Sequence, residues 1–119
     1  MGEFHSILKD KITDYILFGY FVSKEFPKDE LYALTSQCRR AMTSVLLNYI
    51  EGYARKKKKV MLNFYEIAYG SLQESITTFY LACKLGYIST KNYKVIFDKK
   101  EIIAKMLWST INNLEKEIA

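Results

Sequence analysis

The chain has 119 residues, enough for one compact domain and few for two, so we expect a single domain over residues 1–119. Half of the residues are hydrophobic and 15% are aromatic, which excludes a globally disordered chain. The formal net charge of +5 favours contact with nucleic acid or another acidic surface but does not require it.

The scarcity of turn-forming residues, one proline and five glycines, predicts long helices joined by short connections. The first predicted helix covers Phe4–Glu25. Pro27 ends it, because the residue before a proline avoids helical backbone angles. Its inward stripe is predicted to consist of Leu8, Ile12, Tyr15, Gly19 and Val22, widened by Phe18 and Phe21.

The second predicted helix runs over Glu30–Tyr53, with Asp29 as its N-cap and Gly52 as a weak point near its end. Asn48 interrupts the apolar stripe, and a polar residue at such a position typically fixes the register of helix packing. The predicted stripe comprises Leu31, Leu34, Cys38, Ala41, Val45, Asn48 and Gly52.

The third predicted helix covers Lys58–Leu85, and Gly86 is its expected C-terminal stop. Gly70 lies beside Ser71 inside this helix. Because glycine weakens a helix interior, the pair predicts the close approach of a neighbouring helix. The inward positions are predicted to be Leu62, Tyr65, Tyr69, Leu72, Ile76, Phe79 and Cys83.

The fourth predicted helix is capped by Ser89 or Thr90 and runs to Glu117. Four amphipathic segments with short connections predict an all-α fold, an antiparallel up-down-up-down four-helix bundle. The inward positions of this last helix are predicted to be Tyr93, Ile96, Ile103, Leu107, Ile111, Leu114 and Ile118.

The two cysteines and the hydropathy pattern indicate a soluble protein of the cytoplasm. Cys38 and Cys83 lie inside helical patterns and are expected to be reduced core thiols, with a disulfide between them left open. The apolar stretch at residues 4–7 is too short for a signal peptide. No apolar run reaches the roughly 20 residues that a membrane-spanning helix needs.

A set of motifs spread over roughly residues 8–115 resembles a known family. The motifs are residues 26–28, Leu31, residues 34–41, Ser44, Asn48, residues 51–53, 68–74 and 85–88. With these motifs the chain closely resembles the four-helix-bundle proteins encoded in intervening sequences of bacterial 23S ribosomal RNA genes. The family often has a proline at the position of Leu46, so we expect a straighter second helix here.

The resemblance implies a four-helix bundle that assembles into a homopentameric ring. It also implies distant kinship to the accessory protein of diversity-generating retroelements, which binds nucleic acid and a reverse transcriptase. RNA or DNA, and a partner protein such as a reverse transcriptase, are therefore the partners that the resemblance implies. Most members of the family have no assigned biochemical activity.

Arg39 and Arg40 are one group of candidate binding residues. They are adjacent and point about 100° apart on a helix, so they cannot share a face. One interpretation pairs them with Glu51, Glu66 or Glu74, within the bundle or between subunits. The other is phosphate contact, because the guanidinium fork matches phosphate oxygens.

A block of five consecutive cations at the expected turn between the second and third helices is the better candidate nucleic-acid site. Lysines on a turn neutralise phosphates without reading bases, which gives salt-dependent and largely sequence-blind binding. The alternative is a solvated turn that keeps the protein soluble. The block consists of Arg55, Lys56, Lys57, Lys58 and Lys59.

Catalysis is not expected. His5 is the only histidine and is expected to be exposed near the N-terminus, while Glu51 and Glu74 have no nucleophile or metal-ligand cluster beside them. The di-iron bundle signature needs Glu-x-x-His on inner helix faces, and the sequence lacks it. We therefore predict no enzyme activity, cofactor, metal or small-molecule substrate.

The ten tyrosines are expected to serve first in packing, second in a subunit interface, and third in base stacking. The third use requires Tyr49 or Tyr53 to be exposed beside the cationic block. Together these patterns predict a non-enzymatic oligomer that binds nucleic acid. The rival hypothesis is an oligomeric scaffold that binds a partner protein and has no nucleic-acid role.

Overall fold

A computed structural model describes residues 1–119 as four α-helices without strands, which confirms the predicted all-α class. A short 3₁₀ turn, Lys28–Glu30, lies between the first two helices. None of the helices combines the length and apolarity needed to span a membrane. The helices are α1 (Glu3–Ser23), α2 (Leu34–Tyr53), α3 (Lys58–Lys84) and α4 (Thr90–Ile118).

Each helix packs against two others: α1 and α3 both lie against α2 and α4. The molecule measures 46 × 24 × 22 Å, so it has two distinct ends. His5 near the start of α1 contacts Tyr49 near the end of α2, and Ser23 at the end of α1 contacts Arg39 near the start of α2. We call the end that carries residues 55–59 the basic end, and the other the opposite end.

The core is a cluster of 23 buried hydrophobic residues drawn from all four helices. The stripe predicted for α1 is buried throughout, although Phe21 faces solvent and does not widen it. A buried polar contact of 2.6 Å joins Tyr15 Oη in α1 to Ser75 Oγ in α3. The predicted stripe of α4 is buried at Ile96, Ile103, Leu107, Ile111 and Leu114.

The predicted start of α2 is wrong. Asp29 lies in the 3₁₀ turn and does not cap the helix, and Leu31 is 48% exposed outside it. The carboxylate of the next residue, Glu30, serves the first turn of α2 instead. Its Oε1 accepts a 3.5 Å hydrogen bond from the backbone amide of Leu34. Tyr87 holds that carboxylate in place by donating to Glu30 Oε2 at 2.7 Å. This long-range partner gives no local sequence signal.

The predicted C-terminal stop of α3 and the predicted N-cap of α4 are confirmed. Gly86 follows α3 with a φ of 80°, a left-handed conformation that favours glycine. Ser89 caps α4, since its Oγ accepts a 3.0 Å hydrogen bond from the Asn92 amide. Cys38 is buried and Cys83 half-buried; both are free thiols, and burial raises the pKa of Cys38 to about 11.

The polar contact across the α2–α3 seam is made by serines and not directly by Asn48. Asn48 Nδ2 donates to the carbonyl and hydroxyl oxygens of Ser44, both at 2.9 Å, within its own helix. Ser44 Oγ in turn lies 2.9 Å from Ser71 Oγ in α3. Asn48 therefore connects to α3 only through Ser44.

Gly70 does not mark a close helix approach, which corrects the prediction, because a Cβ at this position would meet no neighbouring atom within 4 Å. Close approach occurs at two other glycines. A Cβ on Gly19 would overlap the Met42 thioether, and a Cβ on Gly52 would lie 2.9 Å from the ring of Tyr65. Gly52 is thus a packing residue of α2 against α3, as its place in the predicted stripe indicated, and it lies one residue before the end of the helix.

Gly52→Ala and Gly70→Ala are expected to change stability in opposite directions. At Gly52 the new methyl group meets a buried, rigid ring, so overpacking outweighs the gain in helix propensity and the free energy of unfolding falls by about 1–2 kcal/mol. At Gly70 the new methyl group meets no neighbour, so only the gain in helix propensity remains. The free energy of unfolding should rise by about 0.5–1 kcal/mol. Urea unfolding of both variants at one protein concentration measures the two changes. If both variants changed the free energy of unfolding in the same direction, the close packing at Gly52 would be contradicted.

Candidate nucleic-acid interface

The cationic block lies where the sequence predicted it, at the connection between α2 and α3. Residues 54–57 form the connection, and Lys58 and Lys59 begin α3. Lys57 occupies the N-cap position without a side-chain capping bond. Because the N-terminus of a helix carries partial positive charge, lysines here face an unfavourable field that an external anion would relieve.

Two of the five cations are paired and three are not. Arg55 forms an ion pair with Glu51 one turn earlier and lies over the Phe64 ring, 5.3 Å from its centroid. Lys58 Nζ lies 3.8 Å from Glu117 Oε2 in α4. The remaining exposed cations form no ion pair: Lys56, Lys57 and Lys59.

Arg39 and Arg40 lie apart from this block, in the first half of α2. Arg39 faces α1, where its Nε donates to Ser23 Oγ at 2.9 Å and its guanidinium lies 4.9 Å from the Tyr20 ring centroid. Arg40 is exposed. At 1.5 Å per residue, about 20 Å of helix separates residue 40 from residue 53. One molecule therefore does not bring these arginines and the block into one surface.

The carboxylate pairing predicted for Arg39 and Arg40 within the chain does not form. Glu51 pairs with Arg55 instead, and neither Glu66 nor Glu74 contacts an arginine. The reason is helical spacing, because Glu51 and Arg55 are four residues apart on one face. Arg39 instead bonds a hydroxyl in α1.

An aromatic cluster beside the basic block was missed by sequence reasoning. The His5 ring lies 4.9 Å from the Tyr53 ring and 5.3 Å from the Phe4 ring, measured between centroids. Tyr53 is 37% exposed and immediately precedes the connection, whereas Tyr49 is fully buried. Of the two tyrosines considered for base stacking, only Tyr53 is therefore accessible.

His5 is half-buried, contrary to its predicted exposure, because it is tied to the end of α2. Its Nδ1 lies 2.6 Å from Tyr49 Oη, and Tyr49 Oη donates to the His5 carbonyl at 3.1 Å. Both contacts are hydrogen bonds only when Nδ1 carries the proton and donates to Tyr49, which leaves Nε2 as an acceptor. Burial lowers the pKa of His5, which favours this neutral ring.

The fold and this surface define a class: a small all-α protein of four helices with a cationic turn at one end. No group of three or more metal-ligating side chains is assembled in it. The family model described as 23S rRNA-intervening sequence protein matches residues 8–109, and the chain belongs to this family. The resemblance identified from the motifs is thus confirmed.

The fold is also similar to that of a solved structure. This is the crystal structure of a protein with unknown function from the S23 ribosomal protein family of Bacteroides thetaiotaomicron, with a TM-score of 0.80. The two sequences are 23% identical, and the match covers 87% of this chain and 97% of that chain. At this identity the similarity shows the fold alone. Comparison with curated proteins finds no match.

Proposed function

We propose that this protein is a non-enzymatic, cytoplasmic, oligomeric protein that binds RNA or DNA through the phosphates. The observation that carries the proposal is the presence of three exposed lysines without ion-pair partners at one turn, Lys56, Lys57 and Lys59. They adjoin the N-terminus of α3, where an anion is favoured. Such contacts give affinity without base reading.

The proposal includes self-association of antiparallel up-down-up-down bundles into a homopentameric ring, as the family resemblance implies. The antiparallel topology is supported by the His5–Tyr49 and Ser23–Arg39 contacts, which join opposite ends of α1 and α2. Exposed apolar side chains support self-association, since Leu17 is 67% and Leu47 68% exposed. A ring would present five cationic turns. Because the five weak contacts would act on one nucleic acid at high effective concentration, the overall affinity would rise.

A protein-binding scaffold is the second candidate, and one surface favours it. Tyr32 is 93% exposed beside Leu31, close in sequence to the start of α2 and far from the basic end. Aromatic side chains of this kind are typical of protein interfaces. A partner such as a reverse transcriptase would bind here and leave the lysines to serve solubility.

The test of the proposal is the affinity of the wild-type protein for unrelated RNA and DNA strands, measured by fluorescence anisotropy across a salt series. Phosphate binding predicts that the logarithm of the association constant falls linearly with the logarithm of salt concentration, for every sequence tried. An affinity that does not depend on salt concentration, or no binding at low salt, would contradict the proposal and favour the protein-binding scaffold.

A further inference from the structure

A cavity of about 280 Å³ opens at the basic end, between the start of α1, the first half of α3 and the end of α4. Phe4, His5 and Met61 give it apolar and aromatic walls. Asn113 and Glu117 of α4 add polar groups. A mostly apolar recess with a few converging polar groups is the usual composition of a ligand site.

Tyr65, one of the residues that line the cavity, has a hydroxyl group without a hydrogen-bond partner. Tyr65 is 1% exposed, and its hydroxyl is the one buried side-chain polar atom of the protein without a hydrogen-bond partner. Burial raises the pKa of this hydroxyl to about 12, so it keeps its proton and can both donate and accept. Buried polar groups in proteins are nearly always satisfied. This hydroxyl has almost no accessible surface in the present conformation, so a ligand would reach it only after the neighbouring wall residues shift.

The cavity lies next to the cationic block, at the same end of the protein. Glu117 on its wall lies 3.8 Å from Lys58, and the amide of Met61 donates to the Lys57 carbonyl at 2.9 Å. On the other side, His5 of the wall packs against Tyr53, which directly precedes the connection. The bases of a strand whose phosphates contact the lysines would therefore lie near the cavity.

We propose that this cavity binds one unpaired nucleobase of a single-stranded nucleic acid whose phosphates lie on Lys56, Lys57 and Lys59. The inference rests on the proposed function and narrows it to single strands, because a paired base cannot leave its helix without losing its partner. The volume lies just below the roughly 300 Å³ at which pockets for drug-sized ligands begin, which suits one ring system. Phe4 and His5 supply aromatic rings, and Asn113 supplies hydrogen-bonding groups for the base edge. The Tyr65 hydroxyl would add one more after the wall residues shift.

The experiment compares two strands with the same number of phosphates: a short mixed-sequence single strand and one in which every base is replaced by an abasic site. Base stacking contributes about 1–3 kcal/mol, so the abasic strand should bind about 5- to 150-fold more weakly. Ser109 lines the cavity and is exposed, so Ser109→Phe should fill the space without disturbing the core. Ser6→Phe is the matched control on exposed α1 surface outside the cavity.

The expected result is that Ser109→Phe lowers affinity for the normal strand to the level of the abasic one, whereas Ser6→Phe does not. Equal binding of both strands by the wild-type protein, still dependent on the lysines, would overturn the base site and leave the proposed function intact. No binding of either strand would overturn both. The wild-type comparison stands even if Ser109→Phe fails to fold.

Discussion

Phe79→Ala is expected to lower the free energy of unfolding by about 3–5 kcal/mol, the largest effect of any single truncation considered for this core. Phe79 is fully buried in α3, and its ring lies 6.2 Å from the Phe26 ring in an edge-on arrangement. Its tip faces Gly19 of α1, where a Cβ would lie 3.1 Å away. Since Gly19 has no side chain to move into the space, the cavity would remain.

The measurement is urea unfolding followed by circular dichroism, at one fixed protein concentration because the proposed self-association would add to apparent stability. Leu81→Ala, two residues further along α3 and exposed, is the control and should change stability by no more than about 0.5 kcal/mol. Similar losses in the two variants would contradict the burial of Phe79 between the packed helices.

Reversing the charge of the three unpaired lysines, in Lys56→Glu, Lys57→Glu and Lys59→Glu together, is expected to remove nearly all binding of nucleic acid. Each lysine at an anionic surface contributes about 1 kcal/mol, so the absence of three attractions alone lowers affinity roughly 100-fold. Repulsion by the new carboxylates adds to this. The salt slope should also fall by about three, because three phosphates are no longer neutralised by lysine.

The matched control reverses three exposed lysines at the opposite end, Lys24→Glu, Lys28→Glu and Lys91→Glu, none of which forms an ion pair. Both triple variants have the same net charge, so they separate a local contact from a general effect of charge. Fluorescence anisotropy across a salt series measures both. Equal loss of affinity in the two variants would contradict a site at the α2–α3 connection.

Much of the fold was predictable because helix periodicity and glycine placement are local signals. The stripe of α1 from Leu8 to Val22 and the ends at Gly86 and Ser89 required only spacing and capping chemistry. The start of α2 could not be predicted from spacing and capping chemistry alone. It depends on the carboxylate of Glu30, which Tyr87 holds from a position 57 residues further along the chain.

Glycine roles were predictable where the glycine lies in an apolar stripe. Gly19 and Gly52 were placed in the inward stripes of their helices, and both pack closely against a neighbouring helix. Gly70 lies outside the predicted stripe of α3; its position beside Ser71 was interpreted as a close-contact site, yet it faces open space. A small residue in a helix marks a close contact only when it lies on the face that meets a neighbour.

The candidate site was predicted in part. The cationic block is visible as five consecutive residues, and its place at a connection follows from the helix bounds. The aromatic cluster and the cavity were not visible, because they join Phe4 and His5 to residues of α2, α3 and α4 that are distant in sequence. Only the packing of four helices brings these side chains to the basic end.

The central claim, an oligomer that binds nucleic acid through its cationic turns, is tested most directly by the native mass in solution. Light scattering would be recorded at low and high salt, with and without a short mixed-sequence RNA. We expect a mass near that of five 14.0 kDa chains, with an increase on RNA addition only at low salt. A monomer, or an assembly whose mass does not change when RNA is added at low salt, would contradict the central claim.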